Sequence, residues 1–159
     1  MGTTAIPPFE RFYAEHCGEV LALLAHRLGR QRAEDAFQET FLRALRAYPA
    51  LRNGDFLRAW VLTIARNVAV DAYRRERPTV ELDDEPAELP RRPAYAELEH
   101  LTGELPPTER AAVVLRYAYD LPYAAIGAAL GSSEDAARQA ASAGVRRLRT
   151  ARDHQKELR

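Results

Sequence analysis

Among 159 residues there is one cysteine, Cys17, one tryptophan, and one lysine, Lys156; every other basic residue is arginine. A lone cysteine excludes an intramolecular disulfide and suits a reducing compartment. No apolar run approaches the roughly 18 residues that a membrane span requires, so membrane insertion is not expected. The opening MGTTAIPPFERF has neither the basic nor the apolar stretch of a secretory leader, and Ile6 stands where an N-myristoylation signal wants Ser or Thr. The cytoplasm is the expected location. Net charge is zero, which argues against a polycation that coats nucleic acid but leaves room for local basic patches. Also missing are a Gly-rich phosphate loop, a metal-ligand spacing and a nucleophile motif. His16 and Cys17 are neighbours, which on a helix point about 100° apart, and His26, His100 and His154 stand alone. No catalytic residue, metal or cofactor is therefore expected. Nothing reads as a strand.

What is present is helical periodicity. Hydrophobic residues make up 47% of the chain and charged ones 29%, enough for a buried core under a solvated surface. Residues 9 to 28 place Phe9, Phe12, Tyr13, Val20, Leu23, Leu24 and Leu28 at helical intervals, with Gly29 as the stop. A second helix is predicted from Arg32 to Tyr48, with Ala33, Ala36, Phe37, Thr40, Phe41, Ala44 and Leu45 as its apolar stripe. A third runs from Asp55 to Arg77 on Leu57, Trp60, Val61, Ile64, Ala65, Val68 and Ala72. Residues 76 to 99 break the pattern, with four prolines and eight acids against three arginines. They read as an acidic, Pro-rich linker. Beyond it, LPPTERAAVVLRYAY predicts a helix with Thr108 as N-cap. LPYAAIGAALG is a short helix closed by Gly131, and SSEDAARQAASAGVRRLRTAR a longer one capped by Ser132 or Ser133. The last two make a helix-turn-helix signature, with Tyr123, Ile126, Leu130 and Ala137 expected to pack it. The predicted fold is all-α: two small helical domains, residues 1–77 and 99–159, joined by the flexible linker 78–98.

Three polar surfaces stand out. From Ala136 to Arg152 there is no acid, while Arg138, Arg146, Arg147, Arg149 and Arg152 supply positive charge. Such a helix suits the major groove of duplex DNA, with Ser133, Glu134, Arg138, Gln139 and Ser142 at base-reading positions and Arg146 behind them. A solvated arginine face on an ordinary helical hairpin is the alternative. On the third helix, Thr63, Arg66, Asn67, Val70 and Arg74 lie opposite the apolar stripe. Arginine there would hold phosphates and Asn67 would meet a base edge, which suits a displaced single strand; a plain wet face is again the alternative. On the second helix, Asp35, Gln38, Glu39 and Leu42 share one side, either as a docking face for a basic partner helix or as ordinary surface. Trp60 reads as core.

Taken together, AEDAFQETFLRAL, FLRAWVLTIARNVAVDAYRR and the LPPTERAAVV…GVRRLR segment resemble regions 2.2, 2.3–2.4 and 4 of the extracytoplasmic-function (ECF) sigma factors of bacterial RNA polymerase. The resemblance runs from about Phe9 to Arg152. It implies a promoter-specific initiation factor, not an enzyme, whose partners are bacterial core RNA polymerase, promoter DNA and an anti-sigma factor. It places Asp35, Gln38, Glu39 and Leu42 on a coiled coil of the largest polymerase subunit, where arginine would meet the carboxylates bidentately. It places the Leu51–Asp55 loop, with Leu51, Arg52 and Asn53, together with Thr63, Arg66, Asn67 and Arg74, at the −10 element. Ser133, Glu134, Arg138, Gln139, Ser142 and Arg146 fall at the −35 element. Acids at the start of that last helix favour its dipole but repel phosphates, so weak −35 contact is expected. A helix-turn-helix regulator that binds duplex DNA without polymerase is the alternative.

Overall fold

The computed structural model describes residues 4–76 and 102–158, and the central linker lies outside them. The described residues form α1 (Phe9–Leu28), α2 (Arg30–Ala47), a 3-10 turn (Tyr48–Ala50), α3 (Leu57–Glu76), α4 (Pro107–Tyr117), α5 (Tyr123–Leu130) and α6 (Glu134–Glu157). No strand occurs among them.

Gly29 alone separates α1 from α2. Its φ of 80° lies in the region glycine enters freely, and its N–H still reaches the Ala25 carbonyl at 2.9 Å. The two helices fold back on each other and clasp α3 between them and the C-terminal half. Phe12, Val20 and Leu24 of α1 meet the small Ala33, Ala36, Ala44 and Ala47 of α2, which allow close approach. Thr40, fully buried, satisfies its hydroxyl by donating to the Ala36 carbonyl at 2.7 Å. Trp60 is buried to 0% exposure, its ring 5.8 Å from Phe12 and 6.1 Å from Tyr48, a core residue as its place on the apolar stripe predicts.

α4 starts one residue ahead of the expected cap. Pro106 holds the capping position and Pro107 the first turn, so Thr108 lies inside the helix. Proline, with φ preset and no N–H to leave unpaired, suits the first helical position that Pro107 occupies. The helix-turn-helix forms as predicted. Gly131 sits at φ 65°, ψ 33°, Ser132 donates its N–H to Gly127 at 2.8 Å, and the Ser133 hydroxyl accepts the Ala136 N–H at 3.0 Å. Ile126, Leu130 and Ala137 are buried at the junction. Tyr123 is only half-buried and lies between two guanidiniums, Arg116 at 4.4 Å and Arg138 at 5.1 Å from its ring centre.

The two halves pack on each other. α5 lies against α2 and α3, and α4 against α3, so that one apolar cluster runs from Phe12 through Trp60 to Ala141. Ala59 and Val114 form a second contact between α3 and α4, flanked by Phe56 and Tyr119. Polar bonds seal its edge: the Tyr119 hydroxyl donates to the Phe56 carbonyl at 3.2 Å, and Arg52 pairs with Asp120 at 3.0 Å.

Candidate nucleic-acid interface

The polar face of α2 is open. Asp35 and Gln38 are exposed, Glu39 is half-buried, and Leu42 is 47% exposed. An open groove of about 420 Å³ runs beside them to α3, lined among others by Arg32, Asp35, Glu39, Arg43 and Arg75. Arg32 closes one end through an ion pair to Glu76. Glu39 already has one partner, because Arg43 Nε donates to its carboxylate at 2.9 Å.

The α3 face is the main departure from expectation. Most residues opposite the apolar stripe are wholly or partly covered: Asn67 is 3% and Val70 2% exposed, and Thr63 and Arg66 are half-buried. Only Arg74 at the end of the helix stands exposed. The physical reason is the helix's composition. Apolar or small residues occur on nearly every side of Leu57–Val70, and a helix of that kind is covered all round. The second cover is supplied by α4 and α5. Thr63 spends its hydroxyl on the Ala59 carbonyl at 2.8 Å. Asn67 reaches Asp71 at 3.5 Å through Nδ2, while its Oδ1 is buried with no hydrogen-bond partner among the described residues.

In the loop before α3, Leu51 faces the core at 8% exposure, Arg52 and Asn53 are exposed, and the Asn53 side chain accepts the Asp55 N–H at 3.0 Å. Gly54 lies against the N-terminal segment, its N–H bonding the Thr4 carbonyl at 2.8 Å.

On α6 the sequence-predicted readers are presented outward: Ser133, Glu134, Arg138, Gln139, Ser142 and Arg146 are all exposed. Arg138 is held by its own helix, by Glu134 at 3.2 Å and Asp135 at 3.0 Å. Its charge is therefore largely offset where base edges would be read. Arg146, Arg149 and Arg152 continue the basic face, and Arg147 pairs with Glu109 at 2.8 Å.

The sequence places Arg43 on the polar face of α2 with Asp35, Gln38 and Glu39, but the structure buries it to 3% exposure. It bonds Glu39, bonds Asp71 at 3.2 Å through Nη1, and lies against Gly131, where an added Cβ would sit 2.6 Å from Cζ. A single guanidinium thus ties α2 to α3 and abuts the turn of the helix-turn-helix. Its signal in the sequence is an arginine inside an otherwise acidic face beside small residues.

A helical body with an open acid and amide face, followed by a helix-turn-helix with an exposed basic second helix, is the construction of a DNA-binding transcription protein. Sigma-70 region 2 matches residues 12–79 and Sigma-70, region 4 matches residues 95–148. The ECF RNA polymerase sigma factor SigE of Mycolicibacterium smegmatis is 32% identical over 91% of this chain and 62% of its own length. The ECF RNA polymerase sigma factor BldN of Streptomyces coelicolor is 30% identical over 88% and 58%, and the RNA polymerase sigma factor CarQ of Myxococcus xanthus 32% identical over 89% and 87%. The chain belongs to the ECF group of the sigma-70 family. It spans about three fifths of the length of the SigE and BldN relatives. No helix among the described residues is long and apolar enough to cross a membrane.

Proposed function

We propose that this chain is an ECF sigma factor, a non-catalytic subunit that gives bacterial core RNA polymerase its choice of promoter, and that it works in the cytoplasm. The observation that carries this reading is the joint exposure of Asp35, Gln38 and Leu42 on α2 and of the helix-turn-helix reading face on α6. The first suits an arginine-bearing helix of a large protein; the second suits a DNA groove.

In this reading residues 1–77 dock on polymerase and take the −10 element. Arg66 and Arg74 hold backbone phosphates, Asn67 and the Leu51–Asn53 loop receive an unstacked base, and Thr63 lies beside them. Unstacking a base costs a few kcal/mol, which the polymerase contacts must offset. Residues 99–159 meet the −35 duplex through α6, and residues 78–98 bridge the two. An anti-sigma factor is a further expected partner, which would compete for these surfaces.

The direct experiment is run-off transcription with purified core polymerase on a library of genomic promoters. Promoter-specific transcripts that depend on the chain are expected. Reversing the charge of Asp35 and Glu39 together should abolish co-purification with core polymerase; retention at the wild-type level would refute the docking assignment. Sequence-specific retardation of duplex DNA with no transcription on adding polymerase would favour an independent regulator instead.

A further inference from the structure

We propose that residues 4–8 form a stiff brace that sets the loop of residues 51–56, and that Thr4 and Gly54 are positioning residues through which this brace fixes how Asn53 meets an unstacked −10 base. The role in base choice rests on the sigma-factor reading; the brace itself does not.

The sequence makes the segment stiff. Proline holds φ at about −65°, lacks an N–H, and restricts the residue before it to extended backbone. Pro7 and Pro8 stand in succession, so Ile6 and Pro7 are both restricted in this way. Pro8 lies at φ −56° and ψ 146°, just ahead of α1. Such a run has little conformational freedom to lose on folding, and few contacts suffice to seat it. Those contacts are spread along its length. Ile6 packs against the apolar core, the Pro7 carbonyl accepts the Tyr48 hydroxyl, and the Tyr48 ring lies 5.2 Å from both Phe9 and Phe12.

The far end of the brace meets the loop. The Thr4 carbonyl accepts the Gly54 N–H at 2.8 Å, and the Thr4 hydroxyl donates to the Asp55 carboxylate. The two backbones run so close that a Cβ at Gly54 would collide with the Ala5 carbonyl oxygen. Gly54 is not among the glycines of positive φ, so the space taken by the brace, rather than the backbone angle, calls for glycine here. Two residues on, Phe56 stands at φ 63°, a conformation that a bulky side chain keeps only where its surroundings impose it. Order then passes from Asp55 to Asn53, whose Oδ1 accepts the Asp55 N–H at 3.0 Å. With that oxygen committed, the exposed Asn53 side chain keeps its Nδ2 without a partner among the described residues. Nδ2 is a donor, so Asn53 favours a base edge that offers an acceptor. Without the brace the amide is free to turn over and present its oxygen, and the preference falls.

Hydrogen exchange in the free, full chain tests the brace. Gly54→Ala, which pushes residues 4 and 5 away, should speed exchange of the amides at positions 54 and 55 about tenfold over the native chain. Thr4→Val, which removes the hydroxyl and keeps the shape, should speed it less, and Thr4→Ser should restore the native rate. Circular dichroism and thermal melting verify that the variants remain folded. Unchanged exchange in Gly54→Ala would overturn the brace. Run-off transcription with core polymerase, on templates carrying each base in turn at the unstacked −10 position, tests the role in base choice. Thr4→Val should lower the preference for the favoured base about fivefold, the ordinary net worth of one hydrogen bond, with co-purification with core polymerase unchanged. Asn53→Ala should lower it as much, and the double variant no further. An equal loss of transcription on every template, with the preference intact, would overturn the positioning role. Full additivity of the two substitutions would overturn the route through Asn53. Faster exchange in Gly54→Ala, in a chain that directs no promoter-specific transcription with polymerase, would refute the sigma-factor reading and the base-choice role with it, and leave the brace standing.

Discussion

At the scale of single residues, the same polar side chain serves a surface or a junction according to what packs over it. Asn67 and Thr63 lie where helical geometry puts them, opposite the apolar stripe, yet the structure covers both. Asn67→Ala removes one long bond, from Nδ2 to Asp71 at 3.5 Å, and a buried oxygen that makes none, so stability should change little while the −10 base preference shifts. A promoter profile identical to wild type in run-off transcription would remove Asn67 from the readout. His16 offers a test of folding rather than function. Burial holds it below its ordinary 6.5; Glu15 and Glu19 pull it back up and Arg58 pushes it further down. The folded state therefore favours the neutral ring. This contribution is fully present above 6.5 and is lost as pH falls from 6.5 toward the lower folded value, because the unfolded chain takes up a proton that the folded one resists. In urea titrations between about pH 7 and pH 5, His16→Gln should flatten this part of the decline.

At the scale of elements, most of the molecule was legible. α1 spans Phe9–Leu28 as its periodicity and the following glycine predict. The ends of α2 and α3 shift by only one or two residues, the usual latitude of fraying termini. The helix-turn-helix was readable because each part has its own chemical mark: Gly131 for the left-handed turn and Ser133 for the cap. Ser133→Ala should cost about 1 kcal/mol in chemical denaturation, the ordinary worth of a hydroxyl N-cap. A loss indistinguishable from zero would mean the Ala136 N–H finds another acceptor. What the sequence hid was the second face of α3. Threonine, asparagine and valine at positions 63, 67 and 70 are compatible with solvent, with DNA and with a helix–helix contact alike. Periodicity identifies the stripe that meets the nearest helices, but a packing partner some forty residues further on leaves no periodic mark of its own. The candidate residues divide the same way: those on α2 and α6 stand exposed among the described residues, except Glu39, half-buried against Arg43, whereas the burial of Arg43 depends on a distant partner that the sequence does not mark.

At the scale of the whole molecule, zero net charge conceals segregation. The acids collect in residues 76–99, the arginines on α6 and along α3. Duplex binding by the free chain should therefore be weak and strongly salt-dependent. With Arg138 offset by Glu134 and Asp135, and Arg146, Arg149 and Arg152 exposed, about three phosphate contacts are expected. That corresponds to a log–log salt slope of about −3. Fluorescence anisotropy with a −35 duplex across a salt series measures it. A slope of about −6 or steeper would mean that more of the chain engages DNA than α6 alone.

Thr4 and Pro7, ahead of the first helix, are stitched to the rest of the molecule. Thr4 accepts the Gly54 N–H and bonds Asp55, and the Pro7 carbonyl accepts the Tyr48 hydroxyl. A recombinant product trimmed to start at Phe9 would shed those three anchors and slacken the stretch around Asn53, and a purification tag fused there would crowd it. The far end of α6, wholly exposed from Ala151 to Leu158, is the safer place for a handle.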